Sequence, residues 1–267
     1  MSGRLANMTA AITGSSSGNG RAIALAFASE GAAVLCADRR RDPLPGNYDD
    51  EPEVATDQLI VKRGGRAYFV ETDVLKIDQI ERSVAACVSQ FGRIDVMVNN
   101  AGVFSGAKSI IDETEADWDF TVGVNAKGAW AGCKFAIQAM MKQSFGAHGQ
   151  RGRIINLSSI GGVVGLRNEA SYCASKGAVA NLTRALALDY GKERIAVNAL
   201  APGLVATAMA RPFLEDPAVG DIIKAGTPFY RLGTAMDVGT AALFLASADS
   251  AWITGAILPV DGGYTAQ

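Results

Sequence analysis

Tyr172 and Lys176 stand four residues apart, a spacing that puts both side chains on one face of a helix. A free phenol ionises near pH 10, too high for a base at neutral pH. A lysine cation one helical turn away favours the phenolate and brings the tyrosine into range for proton transfer. Ser159, thirteen positions before the tyrosine, offers a hydroxyl to an oxygen on which charge develops. Asn125 adds an amide further upstream. Such a set suits moving a proton on and off an oxygen, as the interconversion of an alcohol and a carbonyl requires. Each residue taken singly has a plainer reading. The tyrosine could be core, the lysine a solvated face, the serine a strand end, and the asparagine a helix cap.

A second group is Gly14, Gly18 and Gly20 in "TGSSSGNG", between an apolar run and a helix-like run. One glycine allows a sharp turn, another a close backbone approach to a pyrophosphate, the last close packing of helix on strand. The helix start then offers free N–H groups and a positive dipole end to phosphates. No Lys-Ser or Lys-Thr follows Gly20, so this is not a Walker-type loop. A bare strand–helix turn is the competing reading. Asp38 closes the next apolar run, 18 residues past Gly20. A carboxylate there accepts from a ribose 2′-OH and repels a 2′-phosphate, which favours NAD over NADP. Arg39, beside it, pulls the other way.

These residues need a frame. "MTAAI" (8–12), "AAVLCA" (32–37), "RAYFV" (66–70), "IDVMV" (94–98), "RIINL" (153–157), "IAVNAL" (195–200) and "AILPV" (256–260) read as buried strands. Segments near 19–30, 76–91, 126–144, 171–191 and 235–247 have helical length and composition. Strand–helix alternation implies an α/β fold: a single-domain Rossmann-like, doubly wound parallel sheet of about seven strands over residues 1–267, with helices on both faces. Two stretches break the rhythm. Residues 39–56, rich in Pro and acids, read as an exposed insertion, and residues 204–232, with three prolines, as a candidate substrate lid.

Composition narrows the function. The 267 residues are 49% apolar, enough for a large core, and 25 basic against 27 acidic residues give no excess to draw a nucleic acid or an anionic membrane surface. No apolar run reaches the roughly 20 residues of a membrane helix. The N-terminus does not read as a secretory signal. Cys36, Cys87, Cys133 and Cys173 are scattered and read as free thiols, hence a cytoplasmic protein. The single histidine, His148, reads as a solvated loop residue and leaves no basis for a His-based metal site.

"TGxxxGxG", "NNAG" (99–102), "VNAKG" with Asn125, Ser159 in "IINLSSIGG" and "SYCASKGA" come in one order and spacing. Together with "APGLVAT" (201–207) and the terminal "PVDGGYTAQ" they resemble the short-chain dehydrogenase/reductase family along essentially the whole chain. The resemblance implies that Tyr172 is the acid/base, that Lys176 holds the nicotinamide ribose, that Ser159 binds the substrate oxygen, and that Asn125 positions a water in a relay to the lysine. It implies further cofactor contacts from Ser16, Ser17 and Asn19 in the turn and from Asp73 and Val74 at the adenine. Asn99, Ala101 and Gly102 would lie beside the adenosine ribose, with Asn99 alternatively only bracing the central strands. Pro202, Gly203, Val205 and Thr207 would clamp the carboxamide.

Two positions depart from the family pattern. Most relatives carry Ile or Leu where Asn19 stands, and many NADPH-dependent reductases carry Arg where Ser17 stands. The resemblance thus implies NAD as cofactor and a small secondary alcohol or ketone as substrate: a polyol, sugar or cyclic alcohol. Alternatives are a carbonyl or 3-oxoacyl reductase using NADPH, or a non-catalytic nucleotide-binding relative. Enoyl reductases of the family space tyrosine and lysine more widely. Arg167, Asn168 and Glu169 are candidate substrate contacts. A homotetramer, or a homodimer, through the helices near 126–144 and 171–191 and the last strand is also implied.

Overall fold

The computed structural model describes residues 3–46, 48–215, 226–229 and 231–266. In chain order the main elements are β1 (Thr9–Thr13), α1 (Gly18–Ser29), β2 (Ala33–Asp38), α2 (Thr56–Lys62), β3 (Arg66–Glu71), α3 (Ile77–Phe91), β4 (Val96–Asn99) and α4 (Glu115–Val122). There follow α5 (Gly128–Met140), β5 (Gly152–Leu157), α6 (Ala170–Tyr190), β6 (Ile195–Pro202), β7 (Val205–Ala206), α7 (Arg211–Glu215), β8 (Gly233–Thr234), α8 (Ala235–Ala246) and β9 (Ile257–Val260). Seven strands form one sheet in the order β3-β2-β1-β4-β5-β6-β9, and every pairing in it is parallel.

Residues alternate across the sheet and feed two cores. Ala10, Ile12, Val34, Val98 and Leu200 meet Ile23 and Phe27 of α1 and Val238 and Leu243 of α8 on one face. Ala11, Leu35, Met97, Ile154 and Val197 meet Ile80 and Val84 of α3 and Phe135 and Met140 of α5 on the other. Burying each large side chain contributes about 1.5–3 kcal/mol. All seven strands expected from sequence are present, each displaced by two residues or fewer at either end. Their burial differs from the expectation at the edges. β3 alternates and leaves Tyr68 exposed, and β9 is only half-buried, because an edge strand is packed from fewer sides.

Helix α2 is the helix expected after the 39–56 insertion, whereas α4 was not expected. Thr114 and Asp117 form a reciprocal cap at the start of α4, a local signal that was present in the sequence. The 39–56 insertion is not simply an exposed loop. Arg21, fully buried on α1, donates to the carbonyls of Val54 (2.7 Å), Glu51 (2.9 Å) and Asp50 (3.1 Å) and so pins that segment onto the helix. Of the 204–232 stretch, residues 216–225 and 230 lie outside the described residues.

The strand order reverses between β1 and β4. In a doubly wound sheet the crevice at the carboxyl ends beside that point is where a ligand binds. Buried polar side chains fix the strands around it. Asn99 on β4 donates to Asn156 on β5 at 2.8 Å, and Asn156 donates to Thr183 on α6 at 2.9 Å. This ladder holds α6, the helix of Tyr172 and Lys176, in register with the sheet.

Candidate active site

The turn after β1 is built for close approach. Gly14 has φ +65°, and a Cβ there would stand 2.8 Å from the Asn100 amide nitrogen. A Cβ on Gly20 would overlap the Gly14 carbonyl oxygen. Gly20 therefore packs helix on turn and does not face the crevice. Asp38, ending β2, accepts from the Ser16 amide at 3.0 Å, and the Ser16 hydroxyl donates to the Arg40 carbonyl at 2.6 Å. The turn and the acid after β2 are thus tied together.

A cavity of about 610 Å³ runs along the carboxyl ends of the strands. The end at the glycine turn is lined by Gly14, Ser16, Ser17, Gly18, Asn19, Asp38, Arg39, Asp73, Val74, Ala101 and Gly102. The other end holds Ser159, Tyr172, Lys176, Pro202, Gly203, Val205 and Thr207. Most of the residues expected from sequence therefore meet in one space. Asn99 does not reach it. Its side chain is buried against Asn156 and Cys133, which fits the bracing role and corrects the expectation of a cofactor contact. Of the three polar candidates before the tyrosine, Arg167 and Asn168 are exposed away from the cavity, and Glu169 lines it.

Several lining residues went unforeseen. Arg40 joins Arg39 at the glycine-turn end. Leu44 lines the cavity too, and its amide donates to the Ser17 hydroxyl at 2.7 Å. Asp49 accepts from the Gly18 amide at 3.1 Å, so an insertion carboxylate sits at the start of α1. Nothing local in the insertion's sequence points to these contacts; they follow from the Arg21 anchor.

Tyr172 faces the cavity edge-on to Phe104, with ring centroids 5.5 Å apart. The Ser159 hydroxyl shares the cavity wall with the phenol and accepts from the Gly161 amide at 3.1 Å. Lys176 is buried, with its ammonium 5.9 Å from the centre of the tyrosine ring and donating to the Leu157 carbonyl at 2.8 Å. Burial lowers its pKa to about 8. Burial raises the Tyr172 pKa, the Ser159 hydrogen bond works against that rise, and the Glu169 carboxylate adds to it. Loss of solvation by the phenolate outweighs a cation that is turned to a carbonyl.

Asn125 lies within a π-helical turn, Gly123–Lys127, an insertion often found where function shapes a helix. Its amide is held on three sides. The Val103 amide donates to Oδ1 at 2.8 Å, and Nδ2 donates to the Val103 carbonyl and the Ser175 hydroxyl, each at 3.0 Å. Asn125 itself does not line the cavity. A Cβ on Gly102 would stand 3.3 Å from Asn125 Oδ1 and 3.4 Å from Lys176 Nζ, so the glycine keeps clear the space between them.

The comparisons agree with this geometry. A family model described as enoyl-(acyl carrier protein) reductase matches residues 14–265. The chain belongs to the short-chain dehydrogenase/reductase family. It is 34% identical to 2-(R)-hydroxypropyl-CoM dehydrogenase of Xanthobacter autotrophicus, over 96% of this chain and 98% of that one. It is 35% identical to meso-2,3-butanediol dehydrogenase of Serratia marcescens, over 99% and 97%. A solved structure of a putative NAD(P)-dependent gluconate 5-dehydrogenase from Beutenbergia cavernae, with NADP bound at low occupancy, superposes with TM-score 0.86. It is 35% identical and each chain is covered to 98%. Members of this family are oxidoreductases of alcohols and ketones that bind a nicotinamide cofactor.

Proposed function

We propose that this short-chain dehydrogenase/reductase moves hydride between a small secondary alcohol, such as a polyol, sugar or cyclic alcohol, and NAD. The observation that carries the reading is the convergence of Ser159, Tyr172 and Lys176 on the same cavity as the glycine turn and Asp38. The spacing of four between tyrosine and lysine argues against an enoyl reductase. A dinucleotide suits the residues present, since the Gly14 and Gly20 positions leave no room for side chains against the turn.

A nicotinamide held in this cavity would supply the hydride chemistry. Ser159 holds the substrate oxygen through its hydroxyl, itself oriented by the Gly161 amide. Tyr172 takes the hydroxyl proton in oxidation and returns it in reduction. Lys176, its ammonium fixed by Leu157, keeps positive charge beside the phenol and would hold the nicotinamide ribose. Asn125 fixes the π-turn and faces, across Gly102, the space in which a water would reach the lysine. Asp38 selects against a 2′-phosphate. Arg39 and Arg40, both on the cavity wall, support NADP as the second reading.

The proposed assembly is a homotetramer through α5, α6 and the last strand, where Leu188 on α6 is 85% exposed and Trp252 near β9 is 100% exposed. Singly exposed apolar side chains are common, and only a contiguous patch marks a partner's face. Sedimentation of a monomer at micromolar concentration would refute this assembly. The reaction is tested by nicotinamide absorbance with each dinucleotide against a panel of alcohols and ketones. Turnover with NAD on secondary alcohols is expected. Turnover confined to NADPH with ketones would overturn the reading.

A further inference from the structure

The substrate end of the cavity beyond Ser159 and Tyr172 is walled mainly by apolar groups, among them Phe104, Phe120, Leu166 and Met209. Its one carboxylate among the described residues is Glu169. Glu169 precedes α6 directly and lies three residues before Tyr172, so the two share the opening face of that helix. The carboxyl takes no part in capping the helix. Lys108 pairs its backbone with this segment, its amide donating to the Asn168 carbonyl at 2.7 Å, but its ammonium is bound to Asp117 at 2.8 Å. Arg167 faces solvent and Lys176 is bound to Leu157. Among the described residues no cation or hydrogen-bond donor satisfies the Glu169 carboxyl. Burial alone pushes its pKa up, and its charge is felt at the Tyr172 hydroxyl.

A half-buried carboxyl without a partner is an acceptor waiting for a donor. We propose that Glu169 determines substrate specificity: it favours an alcohol with a second hydroxyl next to the reacting carbon and excludes one with a carboxylate there. The inference rests on the oxidoreductase reading above and narrows its substrate class to neutral vicinal diols and polyols. A hydroxyl on the adjacent carbon donates to the carboxylate while the reacting oxygen is held by Ser159 and Tyr172. An anion in the same place meets the Glu169 charge in a half-buried setting where water screens the repulsion poorly.

The test uses three ligands of one shape: cyclohexanol, cyclohexane-1,2-diol and 2-hydroxycyclohexanecarboxylate. The intact enzyme is expected to show kcat/KM in the order diol, mono-alcohol, hydroxycarboxylate. In Glu169→Gln the hydroxycarboxylate should gain at least about tenfold on the mono-alcohol, with the diol's advantage reduced. Glu169→Asp, which keeps the charge, should keep the exclusion. A common factor on all three compounds, or unchanged ratios, would overturn the proposal. If no compound turns over with either dinucleotide, the oxidoreductase reading fails separately. Calorimetric binding to the dinucleotide-loaded protein then decides on Glu169, and equal affinity of wild type and Glu169→Gln for the hydroxycarboxylate rejects the proposal.

Discussion

The two ends of the cavity carry charge in opposite ways. At the glycine-turn end Arg39 and Arg40 are exposed and Asp38 is half-exposed, with the Asp38 carboxylate bonded to a backbone amide. At the substrate end Lys176 is buried and Glu169 half-buried, among aromatic and aliphatic side chains. Exposed charges are screened by water and salt, so they grade affinities. Buried charges cost stability to hold and act strongly on whatever shares their pocket. On the proposed function, the first end would sort cofactors by degree, whereas the second would do the chemistry.

If that contrast is right, the largest effect lies at the tyrosine. Tyr172→Phe should lower kcat by about 10²–10⁴-fold, the scale of a lost general acid/base. Dinucleotide affinity should change by less than about threefold. Residual activity within tenfold of wild type would remove Tyr172 from the proton-transfer role.

Next comes the cost of the buried ammonium. Lys176 has its pKa lowered by burial from 10.5 to about 8. Between those values the unfolded chain holds the proton and the folded one has released it, so this group makes stability rise with pH across that window. Below about pH 8 both states are charged, and folding bears the desolvation cost of roughly 3 kcal/mol. Losing the hydrogen bond to Leu157 offsets about 1 kcal/mol. Lys176→Met should therefore be inactive yet more stable by about 1–3 kcal/mol at pH 7, with the gap closing by pH 10.5. Urea unfolding of both proteins at the two pH values checks this, and an equal gap at both would show that the buried charge is not its source.

Effects at the exposed end should be smaller. Asp38→Ala should shift the ratio of kcat/KM for NAD over NADP by about fivefold towards NADP, the upper worth of one exposed charge contact. An unchanged ratio would assign the choice to Arg39 and Arg40. Smallest is Asn19, whose buried Oδ1 has no hydrogen-bond partner. Asn19→Ile should alter NAD affinity by about threefold and leave kcat at saturating NAD within about twofold. A drop in kcat by orders of magnitude would contradict a role limited to affinity.

Much of the site was legible because its signals are local. Gly14 and Gly20 mark a turn that no side chain fits, and Tyr172 and Lys176 mark a helix face; both follow from backbone periodicity and sterics. Legibility failed where an environment had to be assembled. The Asn99 side chain has the same chemistry whether it meets a ribose or Asn156, and only the β4–β5 pairing chose Asn156. The burial that raises the Tyr172 pKa and lowers that of Lys176 is set only once α6 lies on the sheet.

The chain's own order of apolar runs, glycines and catalytic residue types determined the doubly wound sheet, the crevice at its switch point and the family. These depend on contacts within a turn of helix or a few residues of strand. Which polar residue before the tyrosine enters the cavity, and where the insertion lies, were decided by tertiary structure alone. Glu169 faces inward while Arg167 and Asn168 face solvent because the start of α6 is fixed against the segment at Lys108. Asp49 meets Gly18 because Arg21, 28 residues earlier than Asp49, is buried beneath the insertion. Solvation and charge depend on neighbours distant in sequence, and a linear pattern does not encode which of those neighbours arrive.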